Sequence, residues 1–211
     1  MNLQEDMVAE KLLQVKAVTL NLEQPYTWAS GWKSPVYCDN RKVLSHPYAR
    51  DFVKSELSSL LFEKFAGAEC LAGVATAGIS WGAMAADQLK LPFIYVRPKP
   101  KEHGLGNQIE GDLLSGQRVV VIEDLISTGK SSLQVCDVLR SAGANVIGMV
   151  AIFSYGFEHA HNAFSKANIP LFCLTNYPVL ISEALKRGLI TDTQLNSLLN
   201  WREDPAGWKG M

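Results

Sequence analysis

Cysteine is scarce in this chain, and its four copies, Cys38, Cys70, Cys136 and Cys173, stand far apart with no C-x-x-C pair. That spacing argues against a zinc site or a disulfide framework and for inert thiols in a reducing compartment. An excess of charge is missing as well. The formal net charge is −1, so no broad basic surface for nucleic acid is expected. No apolar run approaches the ~20 residues that cross a bilayer. The opening MNLQEDMVAEKLLQ has no basic start followed by an apolar stretch, so it does not read as a secretory signal. Internal repeats and low-complexity segments are absent too. The expectation is a cytoplasmic protein with neither nucleic-acid nor membrane partners.

What is present suits one domain: 211 residues, 47% of them hydrophobic. Val8, Leu12, Leu13, Val15 and Leu20 predict a helix over residues 6–20. Residues 21–35, rich in turn formers and aromatics, read as loop. Ser45 reads as the N-cap of a helix with Pro47 in its first turn, running to about Phe65. Beyond it the pattern alternates. Strands are predicted at residues 70–75, 93–96, 118–122, 146–153 and 171–174, and helices at 79–89, 128–141 and 159–166. Residues 97–113 form a long polar loop. Two C-terminal helices follow, at 180–186 and 191–201, the second opened by a Thr191–Gln194 capping box. Alternation of this kind implies βαβ units and an α/β fold with a parallel sheet. Residues 119–122 are apolar at every position, as in a strand buried on both faces.

Ligands on such sheets bind where strands end and helices begin. Residues 119–131, VVVIEDLISTGKS, cross one of those points. The small residues from Ser127 to Ser131 can cup a phosphate at a helix N-terminus, where the helix dipole favours an anion. The closing Gly129-Lys130-Ser131 looks like the end of a nucleotide-binding P-loop, but that pattern needs glycine where Asp124 stands. Two carboxylates, Glu123 and Asp124, would repel a polyphosphate, yet they are good acceptors for sugar hydroxyls. The stretch therefore reads as a sugar site on its acidic half and a phosphate site on its Ser/Thr/Gly half.

The whole stretch resembles the phosphoribosyl-diphosphate motif of type I phosphoribosyltransferases. That resemblance implies a single domain over residues 1–211 with a Rossmann-like central parallel sheet flanked by helices, a flexible lid loop and a small N-terminal hood. Residues 1–65 would make the N-terminal helices and hood, 66–175 the core and 176–211 the C-terminal helices. It implies Mg²⁺, bridging oxygens of the donor rather than ligated by side chains. The donor would meet Glu123, Asp124, Leu125, Ile126, Ser127, Thr128, Gly129, Lys130 and Ser131.

Three further stretches, SGWKSPVYCDNR at 30–41, LAGVATAGI at 71–79 and YVRPKPKEHG at 95–104, resemble the orotate phosphoribosyltransferases over nearly the whole chain. Arg97, Lys99, Lys101 and His103 lie within seven residues and are followed by Gly104 and Gly106. A glycine-hinged basic loop suits a lid over diphosphate. By the resemblance Arg97, Lys101 and His103 contact the diphosphate, the lid often serves the neighbouring subunit, and a homodimer follows. Thr76 and Ala77 would face the leaving group through backbone N–H groups, Ala77 standing where many relatives carry lysine. Tyr37 and Cys38 would meet the pyrimidine edge, with Cys38 in place of an aromatic. Ala29 stands where many relatives have a substrate-site lysine, which Lys33 can replace. After the fifth strand IFSYG lacks the arginine that clamps the orotate carboxylate in many relatives, leaving Arg41 and Lys33 as candidate cations. Ser127 would also meet orotate.

The implied reaction joins N1 of orotate to C1′ of the donor ribose through an oxocarbenium-like centre. The protein would supply charge and position, with Lys101, His103 and Asp124 as catalytic groups. Two alternatives stay open: transfer to another base, and a non-catalytic regulator that binds the donor.

Overall fold

The computed structural model describes residues 3–28, 31–100 and 108–208. In chain order, helix α1 (Leu3–Gln14) precedes four short strands, β1 (Val18–Leu20), β2 (Tyr26–Thr27), β3 (Lys33–Ser34) and β4 (Val36–Cys38). A 3-10 helix (Asn40–Ser45) then leads into α2 (Pro47–Lys64). The alternating part runs β5 (Cys70–Val74), α3 (Ala77–Leu89), β6 (Phe93–Val96), β7 (Ile109–Glu110), β8 (Arg118–Ile126), α4 (Lys130–Ser141), β9 (Asn145–Ser154), α5 (Glu158–Lys166) and β10 (Leu171–Asn176). Helices α6 (Tyr177–Lys186) and α7 (Asp192–Glu203) close it. The chain divides into two compact units, Asp51–Leu174 and the pair of segments Met1–Arg50 with Thr175–Met211. Most of α2 thus belongs with the alternating part, whereas the sequence places it with the N-terminal hood.

The core unit holds a six-stranded sheet in the order β10-β9-β8-β5-β6-β7. β5 runs parallel to β6 and β8, and β8 runs parallel to β9, whereas the two residues of β7 are antiparallel to β6. Val119, Val120, Val121 and Ile122 are each 0% exposed, as expected of a central strand covered on both faces. The expected strand stopped at Ile122. It continues through the acidic pair to Ile126, because β9 runs alongside and pairs Leu125 with Phe153 and Ile126 with Ser154. Acidic residues disfavour strands, but ladder hydrogen bonds to a neighbour override that preference.

The other unit departs further from expectation. α1 ends at Gln14, six residues before the predicted end, and Lys16 takes a left-handed φ of 54°. The chain then extends, and Val18, Thr19 and Leu20 pair antiparallel with Cys38, Tyr37 and Val36. The apolar spacing of residues 15–20 is shared by a helix and a short half-buried strand, so it could not place the boundary. Residues 21–35 are not wholly loop: Tyr26 and Thr27 pair with Ser34 and Lys33. Ser45 ends the 3-10 helix rather than capping α2, so His46 precedes Pro47 and its carbonyl accepts from Arg50 N–H at 2.8 Å. The Thr191 capping box is present as predicted. Ion pairs join α1 to α6: Arg187 to Glu10 at 2.8 Å and Lys186 to Asp6 at 3.1 Å. No helix among the described residues is long and apolar enough to cross a membrane.

Candidate active site

From β5 the chain passes through α3 to β6 on one side; from β8 it passes through α4 to β9 on the other. The strand order therefore reverses between β5 and β8. Right-handed crossovers put α3 and α4 on opposite faces, which opens a crevice outside the carboxyl ends of those two strands. Two helix N-termini border that crevice, both within the core unit.

α3 starts after Val74, with Thr76 at its N-cap making no side-chain cap bond. Its approach to the sheet depends on small residues. A Cβ on Gly73 would lie 2.8 Å from the Gly78 carbonyl oxygen, and one on Gly78 would collide with the Ile122 carbonyl oxygen. Glycine at both positions lets the start of α3 settle against β5 and β8. The peptide bond between Ala75 and Thr76 is cis. Thr76 is exposed and Ala77 half-buried, where the chain leaves the carboxyl end of β5 and the first amides of α3 have no partner within the helix.

Three residues separate β8 from α4. Gly129, its N-cap, has φ 75°, and a Cβ there would sit 2.6 Å from the Phe164 ring. Both backbone conformation and space demand glycine here. Thr128, Lys130 and Ser131 are exposed around it, and Ser127 is half-buried. The Thr128 hydroxyl accepts from Lys130 N–H at 3.4 Å. Hydroxyls and first-turn amides of α4 thus cluster at a positive helix end, the arrangement that holds a phosphate. Leu125 is half-buried and Ile126 fully buried, so the Ile126 side chain belongs to the core.

The acidic pair is not a solvated strand end. Glu123 is 6% exposed; its Oε2 accepts from the Ser132 hydroxyl at 2.8 Å and its Oε1 from Asp124 N–H at 3.0 Å. Burial pushes the Glu123 carboxyl well above the usual range, and the neighbouring Asp124 carboxyl pushes the same way. The bonds from Ser132 and Asp124 N–H oppose both. Asp124 is half-buried. Ser132 was missed in the sequence. Its signal was a serine at a core position of α4, three, four and seven residues before the buried Val135, Cys136 and Leu139.

Arg97 follows β6 at the neck of the basic loop. Its N–H donates to Gln108 O at 2.9 Å, Gln108 Nε2 donates back to Arg97 O at 2.7 Å, and its guanidinium lies 3.8 Å from the Glu110 carboxylate. Lys101, His103, Gly104 and Gly106 lie outside the described residues, as do Ala29 and Ser30. Beside β8, the end of β9 turns through Ser154, whose Oγ accepts from Gly156 N–H at 3.0 Å.

The remaining candidates belong to the other unit. Lys33 Nζ donates to the Thr27 hydroxyl at 2.8 Å. Arg41 Nε donates to Asp39 Oδ1 at 2.6 Å, and this bond holds the Asp39 carboxyl below its usual range against a smaller opposing effect of burial. Tyr37 is exposed, its ring 5.4 Å from that of Tyr26. Cys38 is half-buried with Sγ 3.4 Å from Asn40 Oδ1. Among the described residues no three His, Cys, Asp or Glu side chains gather as a metal site.

Residues 50–180 match the family described as the phosphoribosyl transferase domain. The chain is 55% identical over 205 residues to an orotate phosphoribosyltransferase of Phocaeicola vulgatus, covering 97% of each protein. It is 52% identical over 199 residues to that of Bacillus pumilus, covering 94% of each. The crystal structure of orotate phosphoribosyltransferase from Aeropyrum pernix superposes with a TM-score of 0.75 at 32% identity, over 88% of this chain and 100% of that one.

Proposed function

We propose that this chain, which belongs to the orotate phosphoribosyltransferase family, carries out the reaction its relatives are named for. It transfers ribose 5-phosphate from 5-phosphoribosyl 1-diphosphate (PRPP) to orotate, giving orotidine 5′-monophosphate and diphosphate in pyrimidine synthesis. The observation that carries this reading is the pair of helix N-termini at the switch point between β5 and β8, with the acidic pair of β8 between them. One end offers Thr76 and Ala77 to the diphosphate; the other offers Thr128 to Ser131 to the 5′-phosphate. Glu123 and Asp124, between the two anions, accept from the 2′ and 3′ hydroxyls.

The chemistry then needs charge more than a nucleophile. As the C1′–diphosphate bond breaks, the ring gains positive charge, which Asp124 favours. Arg97, with Lys101 and His103 of the lid, balances the departing diphosphate. Lid closure excludes the water that would otherwise hydrolyse the donor. Tyr37, Cys38, Lys33 and Arg41 take orotate, with Ser127 from the donor side. Mg²⁺ brought with PRPP would supply positive charge against the diphosphate. A hard cation that keeps phosphate and hydroxyl ligands asks little of the protein, and the paired carboxyls of Glu123 and Asp124 suit the hydroxyl end. The reading extends to a cytoplasmic homodimer in which the lid of one subunit completes the other's site.

The test is turnover with PRPP and Mg²⁺ against orotate, uracil, hypoxanthine and adenine. Orotidine 5′-monophosphate from orotate alone is expected. Preference for another base would reassign the acceptor, and PRPP binding without turnover on any base would make the chain a regulator.

A further inference from the structure

α4 buries one face through Ser132, Val135, Cys136 and Leu139. A serine there, 2% exposed, must find a hydrogen-bond partner or lose stability. Its partner is Glu123 Oε2 at 2.8 Å, nine residues back along the chain. Ser132 is the third residue of α4, in the turn whose leading edge is the phosphate cradle. One helical turn therefore touches both halves of the donor site.

We propose that Ser132 is a positioning residue for phosphoribosyl transfer, fixing the Glu123 carboxyl toward the ribose hydroxyls from the same helix end that holds the 5′-phosphate. The proposal rests on the reading above, in which Glu123 meets the ribose. Each Glu123 oxygen receives one donor, Oε1 from Asp124 N–H and Oε2 from Ser132, and each keeps a further acceptor site for substrate. Without Ser132 the carboxyl loses one of its two anchors and can turn. Burial and the adjacent Asp124 carboxyl also favour its uptake of a proton, which removes an acceptor.

The test uses the full chain with Ser132→Ala, Ser132→Cys, Glu123→Gln and the double variant Ser132→Ala with Glu123→Gln. It reads kcat, KM for each substrate and the melting temperature. Cysteine keeps the shape of serine with a larger terminal atom and is a weak donor, so beside alanine, which leaves space, it separates packing from hydrogen bonding. Both Ser132 variants are expected to raise the PRPP KM by roughly tenfold or more, as for a lost hydrogen bond to a charged group. The orotate KM should stay put, and Ser132→Cys should melt close to wild type. On the Glu123→Gln background, Ser132→Ala should add little, since the two groups act as a unit. A wild-type PRPP KM in Ser132→Cys, an equal rise in both KM values, or full additivity in the double variant would overturn the proposal. If Glu123→Gln raises the PRPP KM while both Ser132 variants match wild type, only the role of Ser132 fails. If Glu123→Gln also matches wild type, the ribose reading fails with it.

Discussion

The indole N–H of Trp201 donates to the main-chain carbonyl of Lys33 at 3.0 Å, across 168 residues of sequence. Trp201 lies fully buried in α7, its ring edge-on to Trp28 at 5.5 Å and tilted against Tyr177 at 5.4 Å. The β2–β3 ribbon that carries Lys33 pairs only two residues per strand and cannot hold its own shape. Trp201 supplies the anchor. Trp201→Phe keeps most of the ring packing and removes the donor. It should raise the orotate KM several-fold and lower stability by about 1 kcal/mol, or ~2–4 °C in melting temperature for a chain of this size. Steady-state kinetics and a thermal melt check both; a lower melting point with an unchanged KM would make the anchor purely structural.

Arg41, the proposed partner of the orotate carboxylate, is paired with Asp39. The guanidinium is already committed to Asp39, so a substrate carboxylate must share or replace that partner. Arg41→Ala is expected to raise the orotate KM substantially and the PRPP KM little. An unchanged orotate KM takes Arg41 out of the site and leaves Lys33 as the remaining candidate cation.

Lys101 tests the lid. Loss of one charge-stabilising group typically costs ~10²–10³-fold in turnover, so Lys101→Ala should depress kcat on that scale with orotate affinity nearly intact. Single-turnover measurements with saturating PRPP separate the two. Wild-type turnover would end the catalytic assignment.

The thiols differ in reactivity for a physical reason. Burial pushes the Cys70 thiol up to about 11 and the Cys136 thiol up to about 12. Raised values mean that at pH 8 both stay almost wholly protonated in the fold, while only the thiolate reacts. Iodoacetamide at pH 8 should modify the half-buried Cys38 and Cys173 first and reach Cys70 and Cys136 only on unfolding. Peptide mass spectrometry reads the order; equal labelling of Cys136 and Cys38 in the folded protein would contradict it.

Much of this was legible in the sequence where one physical signal dominated. The apolar run at 119–122, the Phe93–Val96 strand and the Thr191–Gln194 box each express a local rule, and each stands as read. The turn into α4 was legible because the hydroxyls of Ser127 and Thr128 and the glycine at 129 follow one another directly after a mostly apolar strand. What escaped depends on partners distant in sequence. β8 runs on through Glu123 only because β9 lies beside it, and β1 exists only because Val36, Tyr37 and Cys38 return to pair with it. Ser132 needed knowledge of which face of α4 is covered. The pairing of Arg41 with Asp39 needed the 3-10 helix that Asp39 caps.

The second unit is assembled from both ends of the chain, Met1–Arg50 and Thr175–Met211, with the whole core unit threaded between them. Lys186 meets Asp6 at a separation of 180 residues. A ribosome delivers the core complete while α1 still lacks α6, which follows the core in the chain. The core unit can therefore form during synthesis, but the unit carrying Lys33, Tyr37 and Arg41 must wait for α6 and then close one long, entropically costly loop. Loss of the last two helices would thus strand the N-terminal segment, at the opposite end of the sequence, without the surface it packs on.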